Sequence, residues 1–150
     1  MRKKELFFYI IITLVIGAVP SIFVYTNNIY NTLDKPPLSP PGILFPIVWT
    51  ILFILMGISA YRISIRNSNN TELLIYFIQL IVNALWTPIF FGLNAYLFAL
   101  IWLILLIVLV VIMISKFYKL DNVSAYLNIP YLIWLLFALY LNFGIYILNK

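Results

Sequence analysis

The stretch KPPLSPPGILFPIVWTILFILMGISAY, residues 35–61, decides how the rest of the chain is read. It opens as a proline-clamped polar turn and continues without a break into an apolar run long enough to cross a bilayer. Pro36, Pro37, Pro40, Pro41 and Pro46 fall within twelve residues. Each fixes φ and removes a backbone donor, so the first part favours stiff extended backbone over helix. In the helix that follows, a rotation of about 100° per residue gathers Phe45, Pro46, Trp49, Phe53, Met56 and Ala60 on one face. The remaining positions are aliphatic. One wall of aromatic rings therefore looks into a bundle, and an aliphatic back is left for lipid.

Working outward, composition sets the class. The 150 residues are 65% hydrophobic and 18% aromatic but only 9% charged, where a soluble domain carries about 25% charge. The chain reads as an all-α integral membrane protein, a single compact domain with no room for a soluble module. It has no cysteine and no histidine, which excludes disulfides, thiolate metal sites and the commonest proton shuttle and metal ligand.

A span needs about 20 apolar residues, and five candidates appear, at about 6–25, 43–63, 72–91, 95–115 and 125–148. The first follows Arg2, Lys3 and Lys4, as a signal peptide would. Its full length and its lack of a small-x-small cleavage site favour a retained span. Pro20 is expected to kink it near its far end. The NSNNT run at 67–71 offers Asn70 or Thr71 as a cap for the third span. The link at 92–94 is so short that spans three and four form a tight antiparallel hairpin. Lys116, Lys119 and Asp121 mark the next loop.

Charge orients the five spans. Arg2, Lys3, Lys4, Arg62, Arg66, Lys116 and Lys119 collect on one side, leaving Lys35 and Lys150 on the other. Positive charge stays on the cytoplasmic side, so the expectation is a plasma-membrane protein with its N-terminus inside and its proline loop and C-terminus outside. The net charge of +5 thus speaks to topology and not to nucleic acid.

No Asp, Glu, Lys or Arg lies in the middle of a span, which argues against an ion-coupled pump or a voltage sensor. No Ser or Thr has a buried base beside it, and there is no phosphate-binding glycine loop, so a conventional hydrolase or kinase has no constellation to use. The polar and aromatic groups at membrane depth sort by face instead. Span three places Gln79, Asn83, Trp86, Thr87 and Phe90 within one arc, and span five does the same with Pro130, Tyr131, Trp134, Ala138 and Asn142. Hydrocarbon cannot satisfy an amide, so Gln79, Asn83 and Asn142 must face protein, ligand or a wet cavity. Set beside the Trp49 face, these are the parts of a mostly apolar pocket with a few placed polar groups.

Two readings stand open for Asn83 and Asn142: ligand contact, or helix-to-helix hydrogen bonds of about 0.6 kcal/mol each. Gln79, nearer the basic end, leans to the second. Tyr25, Tyr30, Tyr61, Tyr118 and Tyr146 lie near span ends and read as an interfacial belt. Trp102, on an otherwise aliphatic span, reads as lipid or packing contact. Leu141, Tyr146 and Lys150 match a loose cholesterol pattern that is common by chance.

Three ordered motifs, KPPLSPPGILFPIVWTILFILMG at 35–57, QLIVNALWTPIFF at 79–91 and PYLIWLLFALYLN at 130–142, resemble those of the translocator protein family, also called tryptophan-rich sensory proteins (TspO) or peripheral benzodiazepine receptors, in its bacterial form. The resemblance covers essentially the whole chain. It implies a bundle of five transmembrane helices, often a homodimer, that binds porphyrins such as protoporphyrin IX, and also sterol- and benzodiazepine-like ligands, with a tetrapyrrole-linked stress role. Carried over by position, the pocket includes Trp49, Asn83, Trp86, Trp134, Ala138 and Asn142, and the loop from Lys35 to Pro41 is its lid. The family often places tryptophans near the positions of Ile29 and Leu38. This chain has none there, which leaves Tyr30 as the aromatic of the loop.

The resulting expectation is a membrane receptor or carrier with a cavity between spans one, two, three and five. Phe45, Trp49, Phe53, Asn83, Trp86, Phe90, Tyr131, Trp134, Ala138 and Asn142 are its ligand contacts, beneath a lid that includes Tyr30, Lys35, Pro36, Pro40 and Pro41. Asn83 and Asn142 would bind a ligand carbonyl or propionate. No cofactor is required, since porphyrin is ligand or substrate. One alternative is light-dependent protoporphyrin degradation, with Trp49 and Trp134 as redox-active neighbours. Another is a structural membrane subunit.

Overall fold

A computed structural model describes residues 3–25, 32–66 and 71–149, with the side chains of 21–25 left aside. Among the described residues the protein is wholly helical: α1 (Lys3–Tyr25), α2 (Leu44–Ser64), α3 (Thr71–Thr87) extended by a π-helical turn (Pro88–Gly92), α4 (Tyr96–Leu120), α5 (Asn122–Leu127) and α6 (Ile129–Leu148). Four segments among them, Leu44–Ser64, Thr71–Gly92, Tyr96–Leu120 and Asn122–Leu148, are long and apolar enough to cross a membrane. α1, 23 residues long, packs into the same bundle.

The helices form a ring in which α2 lies against α1, α1 against α3, α3 against α4, and α4 against α6. Lipid tails are as apolar as leucine, so close packing and hydrogen bonds hold such a ring together. Gly57 lets α2 approach α1: a Cβ there would stand 2.6 Å from the backbone Cα of Ile10. Thr13 on α1 hydrogen-bonds the Tyr76 hydroxyl of α3 at 2.5 Å. On the other side of α3, the Trp102 indole donates to the Val82 carbonyl at 2.7 Å, so Trp102 packs on a neighbouring helix. Leu103, Leu106, Val110, Met113 and Phe117 form the buried stripe of α4 and meet Leu80 and Leu135 in the core.

Three boundaries differ from those read in the sequence, each for a local reason. α4 does not stop at Ser115; it runs to Leu120, because fully buried Phe117 stacks on Tyr76 at 6.4 Å and needs helical backbone to reach it. Lys116 and Lys119 therefore sit on helix, not loop. The fifth apolar segment is not one helix but two, broken at Asn128. Pro130 follows as a first-turn proline of α6, and Asn128 Nδ2 donates to the Ser124 carbonyl and to Ser59 Oγ, both at 2.9 Å. Pro88 ends the α-helical part of α3. With its ring in the chain the hydrogen-bonding shifts, and Leu93 N–H reaches back five residues to the Pro88 carbonyl at 3.0 Å. Asn94 then takes a left-handed φ of 51° to turn the chain into α4, a conformation asparagine tolerates. Thr71 is the first residue of α3; the other cap considered, Asn70, lies outside the described residues.

The two ends of the ring are tied differently. At one end Asp121, extended at φ −159°, accepts from Arg62 Nε at 2.7 Å and from Ser124 Oγ at 2.6 Å while capping α5 through Ser124 N–H. Arg66 lies 3.8 Å from the same carboxylate. The Arg62 hydrogen bond and then the Ser124 hydroxyl hold this carboxyl well below the usual carboxylate range, against the opposing effect of partial burial. At the other end the proline loop is buttoned to α6. Pro36 packs on Gly144, where a Cβ would collide with its ring; Tyr140 donates to the Pro37 carbonyl at 2.6 Å; and the Asn149 amide exchanges hydrogen bonds with the backbone of Asp34 at 2.8 and 3.2 Å.

Candidate functional site

α2 and α6 are the one neighbouring pair in the ring whose backbones scarcely approach each other. α5 fills the gap at the Asp121 end, and aromatic rings fill it at mid-depth. Towards the loop end the gap widens into a pocket of about 370 Å³. That volume lies within the range of about 300–1,000 Å³ expected of small-molecule sites.

The aromatic face of α2 divides at this level. Phe45, Pro46, Trp49 and Phe53 line the pocket, whereas Met56 and Ala60, further along the same face, are sealed in the core. Trp49 stacks on Phe53 at 5.3 Å and meets Trp134 of α6 edge-on, with centroids 6.4 Å apart and planes at 89°. Phe45 meets Trp134 from the other side at 5.8 Å. Across the pocket Trp86 stacks on Phe90 at 4.9 Å, and the π-turn sets Phe91 against Phe90 at 4.6 Å. Edge-to-face and offset pairs of this kind contribute about 0.5–1.5 kcal/mol each beyond burial, so the walls hold their shape without a ligand.

Asn83, Trp86, Phe90, Ala138 and Asn142 also line this cavity, together with Trp134. Of the ten residues singled out as contacts, Tyr131 is the one outside the lining. It is 0% exposed, beneath Asn83, with its ring edge against Trp49 at 6.1 Å. Its hydroxyl receives a hydrogen bond from Asn83 Nδ2 at 2.7 Å and donates to Gln79 Oε1 at 2.8 Å. Tyr131 is thus a strut that fixes the Asn83 amide. Gln79, itself fully buried, is a partner in that strut.

The polar groups are not equally free. Asn142 Oδ1 accepts from Trp86 Nε1 at 3.0 Å and its Nδ2 donates to the Tyr96 carbonyl at 3.0 Å. These partners fix the orientation of the amide and tie α6 to α3 and α4 in the pocket wall, leaving one N–H and one lone pair uncommitted among the described residues. Asn83 commits its Nδ2 to Tyr131 and keeps its Oδ1. Trp134 Nε1 is buried and, among the described residues, has no hydrogen-bond partner. A buried N–H without an acceptor costs about 1–3 kcal/mol, and relief by a ligand carbonyl or ring nitrogen requires a turn of the Trp134 ring that opens this nitrogen to the cavity.

The sequence reading did not include the fourth span in the pocket, yet Leu103 and Leu106 of α4 contribute to it, as do Gly17 and Ala18 of α1. Phe91 was also missed as lining, though Pro88 was the available signal for the turn that positions it, whereas Thr87, read on the same face as Asn83 and Trp86, does line the cavity. Of the expected lid, Tyr30 lies outside the described residues. Pro36 is buried against Gly144, and Lys35, Pro40 and Pro41 do not line the cavity; the loop reaches it through Gly42 and Ile43. Among the described residues no group of three or more Asp, Glu, His or Cys gathers into a metal-binding cluster.

Comparison with known proteins bears on the whole of this arrangement. Residues 9–148 match the model of the TspO/MBR family. The chain is 38% identical over 137 residues to Protein CrtK of Rhodobacter capsulatus, covering 89% of this chain and 85% of that protein. It is 39% identical over 154 residues to the Tryptophan-rich protein TspO of Archaeoglobus fulgidus, covering 99% of each. The human Translocator protein is 33% identical over 135 residues, with 85% of this chain and 80% of that protein covered. With apolar helices of membrane-spanning length and relatives matched over most of their length, this chain is a multi-pass membrane protein that belongs to the TspO/MBR family.

Proposed function

We propose that the protein is a membrane receptor or carrier that holds porphyrins and similar flat apolar ligands in the pocket between α2, α3 and α6, in a tetrapyrrole-linked sensory role. In this reading α1 is a fifth span, the Asp121 end faces the cytoplasm, the proline loop caps the outer side of the plasma membrane, and the protein pairs as a homodimer. The observation that carries it is the convergence of Trp49, Trp86 and Trp134, from three helices, on one cavity in which the Trp134 N–H has no partner among the described residues. Three indole faces suit a flat conjugated ring, and the Trp134 donor, once its ring turns, suits an acceptor on its edge. Apart from the Asn83 and Asn142 amides, the Thr50 and Thr87 hydroxyls and the indole N–H groups, the lining side chains are apolar.

The test is quenching of tryptophan fluorescence by protoporphyrin in detergent, in the dark. Saturable quenching is expected, and Ala138→Phe, which puts a ring into the cavity, should weaken it more than about tenfold, a change of about 1.4 kcal/mol, while helical circular dichroism is kept. Unchanged affinity in that variant places the ligand elsewhere.

A second reading, light-dependent breakdown of protoporphyrin, is favoured by the perpendicular contact of Trp49 and Trp134 in the same cavity. Illumination of the complex would then yield a discrete new absorbing product. The double variant Trp49→Phe, Trp134→Phe would make it more slowly; an unchanged rate removes these residues from the chemistry.

A further inference from the structure

At the end of the bundle away from the aromatic pocket, the last turns of α4 run beside α5 and the first turn of α6 and leave an open groove. Its α4 side is built by Ile114, Ser115, Tyr118 and Lys119, spaced i, i+1, i+4, i+5 and therefore on one helix face. Ala125, Tyr126 and Ile129 form the facing side. The floor is apolar, made by Ile114, Ala125 and Ile129. Around it stand one amine and two phenols. Tyr118 and Tyr126, 50% and 59% exposed, meet edge-on with centroids 6.1 Å apart and planes at 63°.

Among the described residues that line the groove, Lys119 is the one that is charged. Asp121, two residues further along the chain, is taken by Arg62, Arg66 and Ser124. Lys116 and Lys119 have no ion-pair partner among the described residues. The Ser115 hydroxyl is spent on the Val111 carbonyl at 2.9 Å, and Tyr118 and Tyr126 share a hydrogen bond, so the donors left to a ligand are the Lys119 amine and one tyrosine hydroxyl. An apolar trough ending in such a rim, at the level where a spanning helix leaves the hydrocarbon, matches a molecule with an acyl chain and an anionic head. A zwitterionic head matches poorly, since no free carboxylate is present at the rim to meet its cation. A soluble anion makes no use of the floor.

We propose that this groove seats one anionic phospholipid of the surrounding leaflet, its phosphate at Lys119 and the Tyr118–Tyr126 hydroxyl pair and an acyl chain along Ile114 and Ile129. Basic pockets between transmembrane helices recognise anionic head groups in this way, whereas tyrosines of a general interfacial belt show no head-group preference. The site is independent of the aromatic pocket and of what that pocket binds.

Native mass spectrometry of the full-length protein, released from detergent with phosphatidylglycerol or phosphatidylcholine added, tests it. Phosphatidylglycerol should be retained in a one-to-one complex at least about fivefold better than phosphatidylcholine, the factor expected for one basic contact. Lys119→Gln should remove that preference, and Tyr126→Phe should reduce it. Lys4→Gln, an exposed lysine at the same end, should leave it intact. Millimolar inorganic phosphate should not displace the lipid. All three variants alter exposed side chains, and an unshifted thermal midpoint in detergent confirms their folding. Equal retention of the two lipids, Lys119→Gln behaving as Lys4→Gln, or displacement by inorganic phosphate would each overturn the proposal.

Discussion

Two of the indoles that line the cavity differ in one respect that separates their roles. Trp86 Nε1 is hydrogen-bonded to Asn142 and helps fix a wall, while Trp134 Nε1 is buried without a partner among the described residues. Trp86→Phe strands Asn142 Oδ1 in an apolar setting and is expected to lower stability by about 1–2 kcal/mol, read as a fall in the thermal midpoint in detergent. Trp134→Phe breaks no hydrogen bond within the protein. Its stability loss should be the smaller of the two, although its effect on protoporphyrin affinity in the same titration should be the larger. If the two variants reverse this order, the unpartnered donor is not the ligand's anchor. Leu38 shows a different tension. It holds a left-handed φ of 69° at the tip of the proline loop and is 85% exposed, in a turn whose Ser39 hydroxyl donates to the Pro36 carbonyl at 2.7 Å. A branched side chain gains nothing there and bears a backbone cost of about 1–2 kcal/mol. Leu38→Asn should therefore raise the thermal midpoint, and a lowered one would mean that the side chain makes a contact that compensates for its backbone.

The elements themselves were the most legible part of the sequence, because a bilayer leaves so little choice: about 20 apolar residues per crossing, with polar groups confined to the ends and to inward faces. The limits of α2 were readable to a residue from the prolines before it and Arg62 at its end. What was not readable were the places where packing overrides pattern. Phe117 draws α4 five residues past the expected stop, Asn128 breaks the last segment with its own side chain, and Pro88 turns the end of α3 into a π-helical step that sets Phe90 beside Phe91. The contribution of α4 to the pocket was hidden for a related reason. On a helix that is aliphatic all round, a leucine facing a cavity has the same letter as one facing lipid, so Leu103 and Leu106 carried no signal. Amides and indoles did carry one, since neither belongs against acyl chains, and it is these that α3 and α6 bring to one cavity. Glycine marks a further limit, for its importance depends on what stands opposite. Gly57→Ala puts a methyl group against the backbone of Ile10 and should separate α1 from α2, at about 1–3 kcal/mol of overpacking. Gly92→Ala meets nothing within 4 Å and should stay within about 0.5 kcal/mol of the parent. Equal thermal midpoints for the two would mean that the α1–α2 contact is looser than Gly57 implies.

At the scale of the whole molecule the bundle is a cup, stitched at its basic end and open between α2 and α6 towards the proline loop. The stitching joins α2 to α5 and α6 through Arg62–Asp121, Ser59–Asn128 and the Ser124 hydroxyl. Asp121 is the titrating member. Its carboxyl is depressed in the folded protein by Arg62 and Ser124, while in the unfolded chain it has the ordinary value of about 3.9. The unfolded state therefore takes up the proton first on acidification. The stabilisation from Asp121 is fully present above that ordinary value and drains away as the pH falls from there towards the depressed one. Asp121→Asn keeps a capping oxygen for α5 but removes the charge. It is expected to cost about 1–2 kcal/mol at neutral pH, as for a charge-assisted hydrogen bond lost, whereas Asp121→Ala loses the cap as well and should cost about 1 kcal/mol more. The gap in thermal midpoint between parent and Asp121→Asn should be level from pH 7 to about 5 and narrow progressively below about 4, towards the depressed value. A gap that does not narrow at all between about pH 5 and pH 2 would mean that Asp121 acts through shape alone. One that closes already at pH 6 would mean that the carboxyl is not held down by Arg62. If the stitch also sets the cup's width, protoporphyrin binding to Asp121→Asn should weaken at neutral pH although no pocket residue has changed, and unaltered affinity would confine Asp121 to stability.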